Sequence, residues 1–532
     1  MAKSLIMEQL YNQTTYDEVP YESRPFPQSH PDRLATLGKL FGLLPTTITR
    51  CRVLELGCAG GGNLIPMAYN LPESEFVGVD LSSRQIEMGL KTIRDLELKN
   101  IQLKHGSILD INASWGLFDY IICHGVYSWV SDQVQDQILA VCSKNLAPQG
   151  IAYVSYNTYP GWHMREMIRH MMRFHANQFN DTREQIEQAR ALIDFLASSV
   201  PTESGYYGML LKDELESIKR CKDSYLFHEH LEEINAPIYF HQFMERCHRH
   251  NLQYLAEADF STMLTSGFPT ETADTLKRIS RHIVHAEQYM DFLRNRLFRQ
   301  TLLCHEGLPL KRELGAEDAE PFSFASSVTP VSEYVDLQAD CKGSFQTARG
   351  IIADTTYPIT KAAFQVLGNC WPRAIDLSTL FSSAKAHLDA AAIATQDDNE
   401  AKRILAEDLL KSFTGNVVEF HIWQADFVTE VSDRPAVSDL TAYQAMSSGS
   451  MVNQRHETVL LDSLARELVT VMNGSRTHDD LIRHLVESVH NRKLTVHQDS
   501  IAITDPIQIE SSLRVAMKQT LSKLAKAALL VE

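Results

Sequence analysis

Residues 53–63 read Val53-Leu54-Glu55-Leu56-Gly57-Cys58-Ala59-Gly60-Gly61-Gly62-Asn63. An apolar run carrying one carboxylate ends there, and small residues then turn the chain. Larger side chains at such a turn would block a ligand lying across a sheet edge. The composition therefore predicts a strand, a tight turn and a helix arranged around a bound nucleoside. A glycine-rich turn is shared by many nucleotide-binding proteins, so its neighbours decide the reading.

Outward from the turn, residues 50–160 alternate strand-like and helix-like segments. The strand-like ones are CRVLELG, EFVGVDL, IQLKHGS, FDYIICHG and GIAYVSYN. Between them, NLIPMAYNLP, SSRQIEMGLKTIRDLEL and QDQILAVCSKNLA carry helical periodicity. This alternation predicts an α/β, Rossmann-like parallel sheet with helices on both faces and its ligand at the strand carboxyl ends.

Two details favour S-adenosyl-L-methionine over a dinucleotide. Gly57-x-Ala59-x-x-Gly62 has Ala where the dinucleotide fingerprint sets a second glycine against pyrophosphate, and a sulfonium nucleoside has no phosphate there. Glu55, inside the first strand, is placed to orient the backbone and the cofactor amine. Asp80 ends the second strand, where a carboxylate accepts both ribose hydroxyls. Ser107 and Ile108, after the third strand, are expected to flank the adenine. His124 and Gly125 end the fourth, and Gly61, Asn63 and Leu81 complete the expected cofactor set.

The 532 residues include 50 basic and 67 acidic side chains, a formal net charge of −17. Hydrophobic and charged fractions of 44% and 22% are those of a globular protein, and the length implies several domains. The acidic balance repels phosphate backbones and disfavours nucleic acid as substrate. The opening MAKSLIMEQLYNQ lacks a secretory pattern, no window is apolar enough to span a bilayer, and nine cysteines are scattered without C-x-x-C. The expectation is a cytoplasmic protein with no membrane insertion.

Four domains are expected. Residues 1–200 bind the cofactor, and 201–315 form a helical unit dense in histidine and aromatics. Residues 316–430 and 431–532 read as winged-helix-like modules, because FQVLGNCWPRAIDLSTLF and VTVMNGSRTHDDLIRHLV each turn between two helices before an Asp. GAEDAEPFSFASSVTPVSEY reads as a linker. His228, His230, His241, His248, His250 and Cys247 include H-x-H spacing but no finger pattern. Helix packing is the favoured reading for them, and no metal is expected. The basic run Lys277 to His285 reads as a solvated helix face.

VLELGCAGGGN, FVGVDLS, HGSILDI and FDYIICHGVYSWV resemble the successive motifs of class I (seven-strand) methyltransferases. YDEVPYESRPFPQSHPDRLATLGKLFGL upstream, LAPQGIAYVSYNTYPGWHMREMIRHMMRFH downstream, FHEHLEEINAPIYFHQFMERCHRHNLQYLAEADF and EQYMDFLRNRLFRQTLLCHE are more specific. They resemble bacterial methyltransferases with a methyltransferase regulatory domain, from the N-terminus to about residue 310. That group includes protein lysine methyltransferases of intracellular bacteria that modify outer-membrane proteins. The resemblance implies a homodimer, a protein substrate gripped by the middle and C-terminal domains, and Gly57, Gly61, Asp80, Ser107 and His124 along the cofactor. Ala59 departs from the class pattern.

Methyl transfer from a sulfonium is an in-line displacement, so the enzyme mainly positions the acceptor. A lysine acceptor must be neutral, and a dry aromatic site favours both that state and contact with the methylated product. Tyr127, Trp129, Tyr156 and Tyr159 follow strands four and five and are candidates, with Asn157 orienting the acceptor. Tyr127 and Trp129 in particular are expected to border the amine. Tyr16 and Tyr21 sit in a segment expected to close over the cofactor as a lid. The reading is a protein lysine N-methyltransferase. Its rivals are methylation of a small molecule or another residue type, and a cofactor-binding regulator with DNA-binding winged modules.

Overall fold

The computed structural model describes residues 15–19, 23–391, 397–498 and 501–532. The five strands expected in residues 50–160 form as β1 (Arg52–Leu56), β2 (Glu75–Asp80), β3 (Ile101–His105), β4 (Phe118–Cys123) and β5 (Leu146–Asn157). Two more, β6 (Leu252–Glu257) and β7 (Phe298–His305), complete a sheet of order β3-β2-β1-β4-β5-β7-β6. β1 to β5 pair in parallel, and β7 runs antiparallel to both β5 and β6. The order reverses between β1 and β4, the place where open α/β sheets hold ligands.

β6 and β7 come from residues 201–315, the span read from sequence as a separate helical unit. They belong to the cofactor-binding sheet because β7 pairs along β5 and β6 along β7, and a buried ion cluster ties β6, β7 and the helix before β7 together. Arg299 of β7 meets Glu257 of β6 at 2.6 Å and Glu287 and Asp291 of helix Ile283–Arg294 at 3.0 and 2.8 Å, all four fully buried or nearly so. Helices Trp162–Ala176, Thr182–Ser199 and Tyr206–Arg220 stand between β5 and β6 and build a small core of their own around Ile168, Met172, Ile193 and Leu211.

The stretch read as a linker is structural. Phe322, just before the strand Ser323–Ala325, and Phe324 within it are both buried, and the strand lies between Ile375–Asp376 and Glu419–His421. Phe420 packs against both rings. Their alternation with Ser and Ala masked the strand within an acidic, Pro-containing stretch. Helices Pro358–Cys370, Leu377–Ala390 and Asp398–Thr414 cover this small sheet.

The last hundred residues repeat that plan with shorter pairings. Val437 bridges Leu530 and Ala436 bridges Asn473, around helices Ser463–Val469, His478–His490 and Pro506–Lys526. In both modules an extended segment ahead of the helices pairs with one segment before the second helix and one after the third. The first module shares a continuous apolar core with the large sheet, in which Leu34, Leu37 and Ile151 join Phe324, Phe364 and Phe420. The second has its own, around Leu468, Leu481, Leu485 and Leu521. No helix among the described residues is long and apolar enough to cross a membrane.

Candidate active site

β1 leaves the sheet at Gly57, whose φ is +74° and where a Cβ would stand 2.4 Å from the Val126 side chain. Only glycine satisfies both constraints. Ala59 follows at φ +47°, a left-handed conformation held by Asp80, whose Oδ2 accepts the Ala59 N–H at 2.8 Å. Oδ1 of the same carboxylate accepts the Ser82 N–H at 2.8 Å. Burial raises the Asp80 carboxyl above its ordinary value, opposed by these two backbone donors. Gly62 lies under the N-terminal segment: a Cβ there would sit 2.5 Å from the Ser23 carbonyl.

These turns open on a cavity of about 930 Å³. Of the cofactor residues expected from sequence, Glu55, Gly57, Ala59, Asn63, Asp80, Leu81, Ser107, Ile108, His124 and Gly125 line it. Gly61 does not; its φ of +74° and close packing against Ile65 and Leu103 shape the turn from behind. Glu55 is 3% exposed, with Oε1 accepting from Asn63 Nδ2 at 2.8 Å and Oε2 unpartnered among the described residues. Burial pushes its carboxyl up to about 8. His124 stacks under Phe26 at 3.7 Å and shares a 2.7 Å hydrogen bond with the Tyr153 hydroxyl. Burial drives its pKa down to about 3, so it is neutral.

The expected acceptor residues divide. Trp129 and Asn157 line the cavity, with Trp129 edge-on to Trp162. Tyr127 does not border it, a correction to the sequence reading. The chain coils into a short 3₁₀ turn at Tyr127–Trp129, which sends the Tyr127 ring into the core against Phe243 and Tyr156. Tyr156 is likewise buried, stacked on Phe243 at 4.1 Å and bonded to Thr301. Strand alternation explains this: Asn157 faces the cavity, so its neighbour Tyr156 faces away. Tyr159 lies outside the cavity lining, on His163 and Glu166. Tyr16 falls in the short helix Thr15–Glu18 without a described side chain, and Tyr21 lies outside the described residues. Two described residues of that segment touch residues that line the cavity. Asp17 accepts from the Ser82 hydroxyl at 2.5 Å, and the Val19 carbonyl bonds His228 at 2.6 Å.

The far wall was missed from sequence. It comes from the π-turn Phe227–Leu231 and the residues after it, which bring Phe227, Glu229, Glu232 and Glu233 into one cavity lining with Trp129 and Phe298. The signal was the acidic and aromatic run FHEHLEE, which carried the family resemblance but whose glutamates and Phe227 were given no role at the site. Arg165 approaches Glu229 at 3.5 Å, and burial pushes the Glu229 carboxyl up to about 7. The histidines weighed for metal have dispersed partners: His228 with Glu232, His230 near Glu214, His241 with Gln288, His248 with Glu306 and His250 with Asp136.

The residues present suit S-adenosylmethionine. The unpartnered Glu55 oxygen suits a cationic α-amino group, the Asp80 carboxylate suits hydroxyl donors such as a ribose diol, and Leu81 and Ile108 supply apolar edges beside Ser107. The sequence of 49–212 matches the family model of a methyltransferase domain, 222–305 that of a predicted methyltransferase regulatory domain, and 433–529 that of the PKMT C-terminal winged helix domain. This is a class I methyltransferase that uses S-adenosyl-L-methionine. The chain is 37% identical to uncharacterized protein RP789 of Rickettsia prowazekii across 97% of its own length and 93% of that protein. It is 48% identical to RP028 of the same organism across 45% of its length and 95% of that protein. Its fold is similar to that of PKMT2 from Rickettsia typhi in complex with AdoHcy, with a TM-score of 0.88 and 34% identity over 96% of this chain and 100% of that one. It belongs to the PKMT family of methyltransferases, those with a regulatory domain and a C-terminal winged helix.

Proposed function

We propose that the methyl acceptor is a lysine side chain of a protein, delivered to the wall formed by Trp129, Trp162, Phe227 and Phe298. The observation that carries this is the composition of the cavity lining, which combines these aromatic side chains with the carboxylates of Glu229, Glu232 and Glu233. Carboxylates draw in an ammonium, and aromatic faces favour both the ammonium and its methylated product. When bound, the cofactor supplies an electrophilic methyl carbon on sulfonium. The chain's own work is to align the amine, exclude water and remove a proton. Glu229, with its carboxyl near 7, is suited to accept the proton that the ammonium sheds before attack. Asn157 is held by Asn235 at 3.0 Å and fixes one side of the approach.

Around this site the proposal assigns Glu55 to the cofactor amine, Asp80 to the ribose and Leu81, Ser107 and Ile108 to the adenine. The family resemblance supports a homodimer acting in the cytoplasm on a protein destined for the outer surface. In the test, methyl-labelled cofactor is incubated with the enzyme and a bacterial protein extract, and the labelled protein is hydrolysed to amino acids. Label in mono-, di- or trimethyllysine is expected. Label confined to methylated arginine, to carboxyl esters or to small molecules would overturn the assignment.

A further inference from the structure

Asn63 is buried to 2% and joins three parts of the chain. Its Oδ1 accepts the backbone N–H of Phe26 at 2.9 Å, which fixes the orientation of the amide. Nδ2 must then donate, and it does so to Glu55 Oε1 at 2.8 Å and Ser29 Oγ at 3.0 Å. The second lone pair of Oδ1 is taken by Nε2 of His456, at 2.8 Å and 393 positions away.

His456 stands at the tip of a hairpin, between strands Ser450–Val452 and Thr458–Leu460 in the C-terminal winged-helix segment. It is 1% exposed, and its φ of +61° is a left-handed conformation. Because Oδ1 can only accept, the His456 proton is on Nε2, and Nδ1 has no partner among the described residues. The tip is clamped on both sides. Arg455 pairs with Glu419 and lies 4.2 Å over Trp371, while Asn453 and Gln454 donate to the carbonyls of Ala527 and Leu530.

We infer that the C-terminal winged-helix domain completes the cofactor site, with His456 as a positioning residue that holds Asn63, and through it Glu55, in the orientation that receives the cofactor amine. Glu55 lines the cavity, its Oε1 is tied by Asn63 and its Oε2 has no partner among the described residues, so the direction of the carboxylate depends on an amide whose acceptor end His456 anchors. Docking of a domain remote in sequence is thereby coupled to cofactor affinity, and by thermodynamic reciprocity cofactor binding tightens that docking by the same factor. The inference rests on the cofactor assignment alone and is independent of the acceptor.

The test is calorimetric titration of the full chain with AdoHcy. His456→Phe keeps an aromatic ring but loses the donor, and should weaken binding about tenfold, whereas His456→Gln keeps an N–H and should restore most of the affinity. Leu485→Ala, in the core of the same domain, should lower the melting temperature without changing Kd. In an Asn63→Ala background, His456→Phe should have no further effect. Wild-type affinity in His456→Phe, or an undiminished effect in the Asn63→Ala background, would overturn the inference. If His456→Phe does not fold, hydrogen exchange on the wild-type chain decides: AdoHcy should slow exchange at residues 453–457, and unchanged rates there would contradict the coupling.

Discussion

Glu55 lines the cavity with one oxygen satisfied by Asn63 and the other without a partner among the described residues, and its carboxyl is raised to about 8. The free protein therefore holds it protonated near neutrality, while the unfolded chain ionises it in the ordinary carboxylate range. Its contribution to stability is complete below that range and is lost as pH rises through about 8. A cofactor ammonium favours the ionised form, so binding near neutral pH expels a proton. AdoHcy titrations in two buffers of different ionisation enthalpy should show release of roughly one proton, abolished in Glu55→Gln. Identical heats in both buffers would remove Glu55 from the amine site. Asp80→Ala should weaken AdoHcy roughly tenfold to a hundredfold, since it deletes charge-assisted acceptors and frees the left-handed Ala59 as well; an unchanged Kd in a folded variant would contradict the ribose assignment. Trp129 and Tyr127 should separate cleanly. Trp129→Ala should cut turnover with AdoHcy affinity preserved, whereas Tyr127→Ala, in the core, should cost about 3–5 kcal/mol of stability by urea denaturation. A Tyr127→Ala variant as stable as the wild type would contradict its placement.

The elements were legible to unequal degrees. Strands β1 to β5 alternate regularly with helical stretches and end on residues with chemical meaning, so Glu55, Asp80, Ser107 and His124 could be placed along the sheet edge from strand order. Tyr127 could not, because whether a residue two beyond a strand turns outward depends on the backbone, and a 3₁₀ turn sends it inward. The acceptor wall was hidden for another reason: 225–234 follows three long helices and itself contains the π-turn, and its polar residues have no periodicity that points at β4. β6 and β7 escaped because polar Gln253, Glu257, Arg299 and Gln300 interrupt their apolar runs. The same charges are what join the strands, which yields a prediction. Arg299→Leu takes from Glu287 its ion pair and leaves Glu257 and Asp291 with Arg296 alone, and removing one partner from a buried ion cluster costs about 3–5 kcal/mol. The melting temperature should fall sharply. An unaltered transition would mean that the cluster does not hold the last two strands.

At the scale of the whole molecule, the C-terminal half is part of the enzyme's frame. Asp32, at the start of helix Pro31–Leu40, bonds His421 at 2.7 Å and the backbone of Ile422 and Trp423. Phe324, Phe364 and Phe420 fill the same core as Leu34 and Ile151. A chain ended near residue 320 should therefore lose cooperative unfolding and precipitate; a soluble fragment melting like the full protein would contradict the shared core. Composition foretold several domains, but contacts between residues nearly 400 apart have no trace in one sequence. The central claim is that this frame presents a protein lysine to a methyl group held at the ends of β1 and β2. Labelled transfer into an untreated protein extract, compared with the same extract after complete acetylation of its lysines, tests it most directly. Strong incorporation that disappears on acetylation is the predicted result; incorporation that survives acetylation unchanged would contradict it.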